Sequence, residues 1–324
     1  MQDTIAVDPN EALTRRREAV FASRRLRRPK QSLRRKVQIC FAHWIVNPLY
    51  TIISFIWKRT LGRYIYIKGT QIPYEEAANM RFIRRSTTIP VPRVWAAFYV
   101  HPWVFWWRRP PSYGLQIYAY IFMQRVPGRA LDLKTWSSYD EKGKQHIISQ
   151  LCDYVEQLRA LKPSPTTVIG SVSGGPVMDD RLYMARTNNV DPMTAGPFQN
   201  EEEMNDALRY HLPFSDFDDI VKEAHARVHP LVFTHGDLKM HNILIQDGTI
   251  TGIINWKCAG WFPAHWEYLK AHWEPDDEEE VDESWSTRVK DFIPPFELER
   301  KADDCMLEKI IAVKLARLAS LAPA

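Results

Sequence analysis

The spacing of apolar residues predicts that the first part of the chain forms a small sheet with one helix. Apolar and polar side chains alternate through residues 61–70, which predicts a strand that ends at a turn. Val94–Val100 and Leu115–Met123 read as two further strands. Tyr74–Arg85 instead carries apolar residues at helical spacing, and two prolines within residues 89–92 enforce an extended chain after it.

Beyond Pro127-Gly128 the pattern becomes mainly helical. Lys142–Leu161 places its apolar residues on one stripe, and Asp303–Leu321 reads as a final amphipathic helix. Three short strands interrupt this part, at Leu231–Thr234, Ile243–Gln246 and Thr249–Ile254. We therefore predict an α+β, bilobal chain: a small antiparallel sheet lobe, a larger mainly helical lobe and a cleft between them.

The N-terminal segment has a different character. Residues 1–36 form a polar, arginine-rich arm, and the following 21 residues, Val37–Trp57, contain no Lys, Arg, Asp or Glu. That length could span a bilayer, but polar residues and a proline interrupt it, which favours packed or membrane-surface amphipathic helices. We predict three regions: 1–60 with the arm and these helices, 61–128 as the N-terminal lobe and hinge, and 129–324 as the helical catalytic lobe.

Charge and cysteine content exclude several classes of protein. The net charge of +4 combines +10 between Arg15 and Lys36 with −6 over the rest of the 324 residues, so a general nucleic-acid function is not expected. The four cysteines lie far apart without a CxxC pair, which predicts neither a cysteine zinc site nor a disulfide framework. A cytoplasmic protein is expected, with peripheral membrane contact through residues 1–57 left open. The 12 tryptophans favour an aromatic-lined site for an apolar small molecule.

Candidate chemistry concentrates in residues 233–270. A strand delivers His235-Gly236-Asp237 to a loop, and Asn242 follows five residues after Asp237. Two strands and an Asp247-Gly248 turn then bring Asn255 back beside that loop. An aspartate here can accept a proton from a hydroxyl, and an asparagine can ligate a metal or hold the loop, which is the layout of a phosphoryl-transfer catalytic loop.

With these motifs the chain resembles the aminoglycoside phosphotransferase/choline kinase-like family, in particular its fungal small-molecule branch, from about Arg63 to the C-terminus. Further motifs that carry the resemblance are Ile67-Lys68-Gly69, Glu76, residues 88–92, 123–128, 169–171, 196–198, 259–261 and 266–268. The resemblance implies a bilobal, protein-kinase-like fold in which Lys68 holds ATP phosphates and Glu76, or failing it Glu75, orients Lys68. It also implies that residues 118–128, with Met123, form the hinge, that Asp237 is the catalytic base and that Asn242 is a magnesium ligand.

The chain departs from the family pattern where a second metal ligand is expected. The family has Ile-Asp-Trp-Glu, whereas this chain has Ile254-Asn255-Trp256-Lys257, which makes the site about three charge units more positive. A magnesium ion at Asn242 and Asn255 is therefore expected to be weakly held or absent. Gly62 is also the only glycine shortly before Lys68, so a glycine-rich phosphate loop is not evident.

Three functions follow as alternatives. We favour an enzyme that keeps the fold but uses Asp237, His235, Asn255 and Lys257 in a metal-free pocket, for example to cyclise or isomerise an apolar secondary metabolite without a cofactor. The second is an ATP- and Mg²⁺-dependent small-molecule kinase that uses Lys68, Glu76, Asp237 and Asn242. The third is an inert pseudokinase that only binds.

Overall fold

The fold is seen in a computed structural model that describes residues 60–100, 118–184, 194–273 and 283–320. These residues all belong to one unit, Arg59–Ala324. The predicted arm and apolar segment within residues 1–57, and the tryptophan-rich connection at residues 103–107, lie outside the described residues.

The described residues contain eight strands. In chain order they are β1 (Ile65–Gly69), β2 (Val94–Val100), β3 (Tyr118–Gln124), β4 (Arg129–Ala130), β5 (Leu231–Thr234), β6 (Ile243–Gln246), β7 (Thr249–Ile253) and β8 (Gly260–Pro263). The helices of the same residues are α1 (Pro73–Ser86), α2 (Leu133–Ser138), α3 (Glu141–Ala160), α4 (Asp180–Met184), α5 (Glu201–Leu208), α6 (Asp219–His225), α7 (Trp266–His272), α8 (Glu283–Ser286), α9 (Val289–Phe292) and α10 (Glu297–Ser320).

The first three strands form an antiparallel sheet in the order β1-β3-β2. Lys68 of β1 lies opposite Ile121 of β3, and helix α1 packs against β2 and β3. Helix α1 begins with Pro73, whose ring presets a helical φ, and its acidic first turn and basic last turn both complement the helix dipole. The sheet therefore holds Lys68 at a fixed register beside the N-terminal half of α1.

Two smaller sheets position the loop that carries the candidate chemistry. Strands β6 and β7 form a hairpin whose turn residues, Asp247 and Gly248, both have positive φ, as a tight two-residue hairpin requires. Strand β5 pairs antiparallel with β8, so that Thr234 lies opposite Gly260. The chain leaves β5 at His235 and returns through the β6–β7 hairpin, which brings Asn255 back beside the loop.

Helix α3 supplies the main stripe of the larger core. Asp140 caps its N-terminus by accepting a hydrogen bond from the Gly143 N–H at 2.8 Å. Its buried face consists of Ile147, Ile148, Leu151, Val155 and Leu158. A second apolar cluster lies between α5, α6, α7 and α10.

The predicted α+β composition is confirmed, with a small antiparallel sheet followed by a larger, mainly helical part. Predicted and observed bounds coincide for β2, β5 and β6, and differ by one residue at each end for α1 and α3. Within the described ranges, no helix combines the length and apolar character needed to cross a bilayer.

Candidate functional site

The ion pair between Lys68 and Glu76 forms one wall of the cleft. Lys68 Nζ donates to Glu76 Oε1 at 2.5 Å, and the carboxylate is only 1% exposed while the lysine side chain is 19% exposed. Glu75, its neighbour in the first turn of α1, lies beside Gly175 instead. Glu76 is therefore the partner of Lys68, and the ammonium keeps one side open to the cleft.

Asn255 links this ion pair to Asp237. Its Oδ1 accepts from Lys68 Nζ at 2.8 Å, and its Nδ2 donates to Asp237 Oδ2 at 3.2 Å. Asn242 Nδ2 donates to the same carboxylate oxygen at 2.8 Å and to the Asp237 carbonyl at 2.7 Å. The side chains of Glu76, Lys68, Asn255, Asp237 and Asn242 thus form one continuous hydrogen-bonded chain, which we call the cleft network.

The amide of Asn255 is well suited to its place in the cleft network. It stands between a cation, which needs an acceptor, and a carboxylate, which needs a donor, so both ends of the amide favour the same orientation. The backbone of Asn255 adopts φ 69°, in the left-handed region that asparagine tolerates better than most residues. An aspartate at this position could accept from Lys68 but could offer no proton to Asp237.

His235 is a buried support of the Asp237 loop. Its ring Nε2 lies 2.9 Å from the Ile254 carbonyl, and its Nδ1 accepts from the Asp237 N–H at 3.2 Å. Burial is the main cause that lowers the pKa of His235 to about 4. Both nitrogens of the neutral ring are therefore satisfied within the protein, and the side chain lies beneath Asp237 rather than in the cleft.

Glu267 fixes the same loop from helix α7. Its carboxylate accepts from the His235 N–H at 2.5 Å and from the Gly236 N–H at 3.2 Å. Gly236 has φ 72°, and a Cβ built there would lie 2.5 Å from the Cys258 carbonyl oxygen, so only glycine fits. Burial raises the pKa of Glu267 to about 7, and its hydrogen bonds to backbone N–H groups oppose this rise.

Two cavities meet at Lys68 and Asn255. One, of about 330 Å³, lies along the predicted hinge, and its lining includes Met123, Val126, Asn242 and Leu244. The other, of about 370 Å³, is lined by Gly69, Tyr120 and Lys257 among others. Mixed apolar and polar walls of this size suit a ligand with an apolar body and an anionic group.

Lys257 lines the second cavity together with Lys68. Its side chain is half-buried, and no described carboxylate lies within ion-pair distance of its ammonium. Because Lys68 is already paired with Glu76, Lys257 contributes the uncompensated positive charge in the lining of this cavity, which favours an anionic ligand.

The residues of the cleft fit a nucleotide but do not fit a magnesium ion at position 255. The lining of the hinge cavity combines apolar side chains, such as Met123 and Val126, which could contact a base, with Lys68, which could bind phosphates. The predicted metal ligands are two neutral amides, and the Asn255 oxygen is already engaged by the Lys68 ammonium at 2.8 Å. A hard dication prefers anionic oxygens, and this arrangement offers it a cation as its neighbour.

Sequence reasoning did not assign roles to two residues that hold the site. Asn79 of α1 donates to the Trp256 and Ala259 carbonyls and accepts from the Val172 N–H, so it joins α1 to the segment after Asn255. Glu267 supports the Asp237 loop as described above. Both are buried polar residues inside helices, a signal that becomes visible only once burial is known.

Comparison with known families and structures gives the following matches. The profile of the family described as "Phosphotransferase enzyme family" matches residues 72–293. No curated protein matches the sequence.

Among solved structures, the chain is similar to aminoglycoside phosphotransferase APH(4)-Ia in a ternary complex with ADP and hygromycin B. Their identity is 13% and the TM-score is 0.38, and the match covers 64% of this chain and 64% of that one. The chain thus spans just under two thirds of that enzyme's length. The gentamicin complex of APH(2")-IIa matches at 10% identity over 77% of this chain and 84% of that one, with a TM-score of 0.43. An aminoglycoside-3'-phosphotransferase of type VIII matches at 13% identity over 80% and 79%, with a TM-score of 0.37.

Proposed function

The chain belongs to the phosphotransferase enzyme family and has a kinase-like fold, and from that premise we propose that it transfers a phosphoryl group from a nucleotide to a hydroxyl group of a small molecule. The observation that carries the proposal is the cleft network. In it, an ion-paired lysine that lines both cavities is hydrogen-bonded through Asn255 to Asp237. Phosphoryl transfer needs a cation for the phosphates and a base for the acceptor hydroxyl, and Lys68 and Asp237 can supply these two groups.

In the proposed reaction the acceptor oxygen forms a bond to the terminal phosphorus of the nucleotide. The bond from that phosphorus to the bridging oxygen breaks, so that the nucleoside diphosphate leaves, and the hydroxyl proton passes to Asp237. Lys68 and Lys257 neutralise phosphate charge, and Asn242 and Asn255 hold the Asp237 carboxylate in place. His235 acts as a positioning residue, because its ring is enclosed below the loop.

The experiment combines nucleotide binding with transfer of a labelled terminal phosphate to a panel of hydroxyl-bearing acceptors. A nucleotide at 100 times its dissociation constant stabilises the folded state by about 2.7 kcal/mol, which a thermal melt detects. Lys68→Met should lose this shift, whereas Lys301→Met, an exposed lysine on α10, should retain it. Asp237→Asn should still bind nucleotide, because an amide oxygen can accept from Asn242 and Asn255, but should lose about 100-fold or more in transfer rate. Equal rates in Asp237→Asn and the wild type would refute the assignment of the base.

A second candidate is the nucleotide-free conversion of an apolar metabolite, such as a cyclisation or isomerisation. The observation that favours it is the Asn255 amide, which completes the cleft network with neutral and cationic groups where the family pattern has a metal-binding carboxylate. Asp237 would then move a proton, and Lys257 would polarise a carbonyl. Conversion of a substrate in EDTA without nucleotide would support this candidate, and a strict nucleotide requirement would exclude it. The comparisons give it no support over the kinase function, and an inert pseudokinase would show neither activity.

A further inference from the structure

A cluster of two histidines and a glutamate lies away from the cleft, in the helical part of the molecule. Glu201 is the first residue of α5, His229 precedes β5, and His265 precedes α7. The Nδ1 atoms of the two histidines are 3.2 Å apart. Glu201 Oε1 lies 2.8 Å from Nδ1 of His229 and 3.5 Å from Nδ1 of His265. Three potential ligand atoms thus converge on one point from three separate elements.

The triangle formed by these atoms has the dimensions of one face of a metal tetrahedron. A tetrahedral zinc ion with bonds of about 2.0–2.1 Å to nitrogen and oxygen separates its ligand atoms by about 3.3 Å. The three distances, 2.8, 3.2 and 3.5 Å, bracket that value. All three side chains are about nine-tenths buried, with exposures of 11%, 10% and 6% for Glu201, His229 and His265.

The Oε1 atom of Glu201 and the two histidine Nδ1 atoms all face one another. The contact between the two Nδ1 atoms needs one protonated and one unprotonated nitrogen, while Glu201 Oε1 also faces both rings and can only accept when ionised. Each of the three atoms has a lone pair when it is unprotonated, so the three can bind one cation together.

The surroundings provide the outer contacts that metal sites use. The other ring nitrogen of His229, Nε2, lies 3.3 Å from Glu299 Oε1, and Arg227 Nη1 holds that same oxygen at 3.4 Å. A carboxylate behind a histidine fixes which nitrogen faces the metal and increases its basicity. The second oxygen of Glu201, Oε2, accepts from the His229 N–H at 2.8 Å, which fixes the carboxylate.

A small cavity adjoins the cluster and has room for a fourth ligand. Its walls include Glu201, His225, His265 and Glu299, and its free volume of about 10 Å³ suits the centre of a single water molecule. Three protein ligands and one water give zinc its usual four ligands; catalytic zinc sites use this set, whereas structural sites ordinarily use four side chains.

We propose that Glu201, His229 and His265 bind one zinc ion, with a water molecule as its fourth ligand. Two imidazole nitrogens and one carboxylate select a borderline-soft transition metal over magnesium or calcium, which prefer oxygen ligands. The ion joins α5, the segment before β5 and the start of α7. Helix α7 also carries Glu267, which accepts from the His235 N–H and so holds the Asp237 loop. By fixing the start of α7, the metal ion stabilises the helix that holds this loop. The cysteine pattern could not reveal this site, because no cysteine takes part in it.

The test is a zinc titration of the full-length, chelator-treated protein in competition with a chromophoric zinc chelator, with metal content measured by atomic absorption. We expect about one zinc ion per chain, and Co²⁺ in its place should show the strong visible absorption of four-coordinate cobalt. Glu201→Gln, His229→Gln and His265→Gln should each weaken zinc binding by more than about 100-fold, and Glu299→Gln by about 10- to 100-fold. His146→Gln, an exposed histidine on α3, is the matched control and should bind zinc like the wild type.

Far-UV circular dichroism checks that each variant is folded before its affinity is compared. If a ligand variant does not fold, the wild-type cobalt spectrum and the zinc-dependent shift in melting temperature decide instead. Zinc binding that survives all three ligand substitutions, or a wild-type protein that binds no zinc at micromolar concentration, would overturn the proposal.

Discussion

At the scale of single residues, the side chain at position 255 determines whether the cleft network can form without a metal. Asn255 accepts from Lys68 and donates to Asp237, so the two charged groups are joined through a neutral amide. The amide nitrogen that lies 3.2 Å from Asp237 Oδ2 would become a carboxylate oxygen in an aspartate. Two like charges about 4 Å apart repel by about 4 kcal/mol at an effective dielectric constant of 20.

We therefore expect Asn255→Asp to melt below the wild type when both are in EDTA, and this difference to disappear in millimolar Mg²⁺, because a dication would neutralise the facing carboxylates. Asp can adopt the left-handed backbone of Asn255, so the change is mainly one of charge. The matched control is Asn200→Asp, where either side chain can cap α5 through the Glu203 N–H. The same difference in melting temperature between Asn255→Asp and the wild type in EDTA and in Mg²⁺ would contradict this explanation.

Glu267 predicts a pH dependence of stability. Burial raises its pKa to about 7 from an ordinary value of 4.5, so the folded state binds this proton more tightly than the unfolded chain does. Its contribution to the free energy of unfolding is therefore fully present below pH 4.5 and is lost as the pH rises to about 7, by roughly 3 kcal/mol.

Glu267→Gln should remove this decline because the amide does not ionise. The measurement is the free energy of unfolding in urea at several pH values between 4 and 8. As the pH rises through this range, the wild type should lose more stability than Glu267→Gln does. Glu156→Gln, on the exposed face of α3, should leave the wild-type pH profile unchanged. Parallel pH profiles for Glu267→Gln and the wild type would show that Glu267 does not titrate in this range.

At the scale of elements, the loop between β5 and β6 depends on one glycine conformation. Gly236 and Gly174 have nearly the same φ, 72° and 73°, but a Cβ at Gly236 would lie 2.5 Å from the Cys258 carbonyl oxygen whereas one at Gly174 would meet nothing within 4 Å. Comparing alanine substitutions at these two glycines therefore separates the cost of backbone strain from the cost of steric overlap.

Gly174→Ala should cost about 1 kcal/mol of stability, from the left-handed backbone alone. Gly236→Ala should cost several kcal/mol and should also displace Asp237, because the overlap is with backbone that cannot rotate away. Chemical denaturation measures both costs, and nucleotide binding or turnover reports on the loop. Similar losses for the two variants would mean that the close contact with Cys258 relaxes easily.

Elements with a strong local signal could be predicted from the sequence, and the contacts between them could not. Strands β5 and β6 are short apolar runs that end at turn or loop residues, so their bounds coincide with the prediction. The short helix α5 was not predicted, because eight residues carry little periodic signal. Helical spacing placed both Glu75 and Glu76 in the first turn of α1, but only the packing of α1 against the sheet decides which of them reaches Lys68.

The residues of the candidate sites also divide into those with a local sequence motif and those that only the fold brings together. Lys68, Asp237, Asn242 and Asn255 were predicted because their motifs are local in sequence, and they do come together in the cleft network. The ligands of the proposed zinc site are separated by 28 and 36 residues and match no short spacing pattern, so only the fold brings them together.

At the scale of the whole molecule, the uneven charge of the chain predicts a salt-sensitive interaction with anionic surfaces. Residues 15–36 carry +10, whereas the rest of the chain carries −6. We expect the full-length protein to sediment with anionic lipid vesicles at low ionic strength and to be released by salt, because exposed charges are screened over about 10 Å at 0.1 M.

Replacing the eleven Lys and Arg of this segment with Gln should abolish sedimentation without changing the melting temperature of the unit Arg59–Ala324. Vesicles of neutral lipid are the control for apolar insertion through residues 37–57. Binding to neutral and anionic vesicles alike would show that charge is not the cause.

Because Lys68 lines two cavities, the number of hydrogens on its ammonium limits how many anions it can bind at once. An ammonium has three hydrogens to donate, and Glu76 and Asn255 already accept two of them. A single anion in either cavity can take the third and leave the cleft network intact. A second anion, in the opposite cavity, must displace Asn255 and thereby loosen its hold on Asp237. An excess of a phosphorylated product or of a second anionic ligand should therefore appear in steady-state kinetics as substrate or product inhibition that lowers turnover rather than affinity alone.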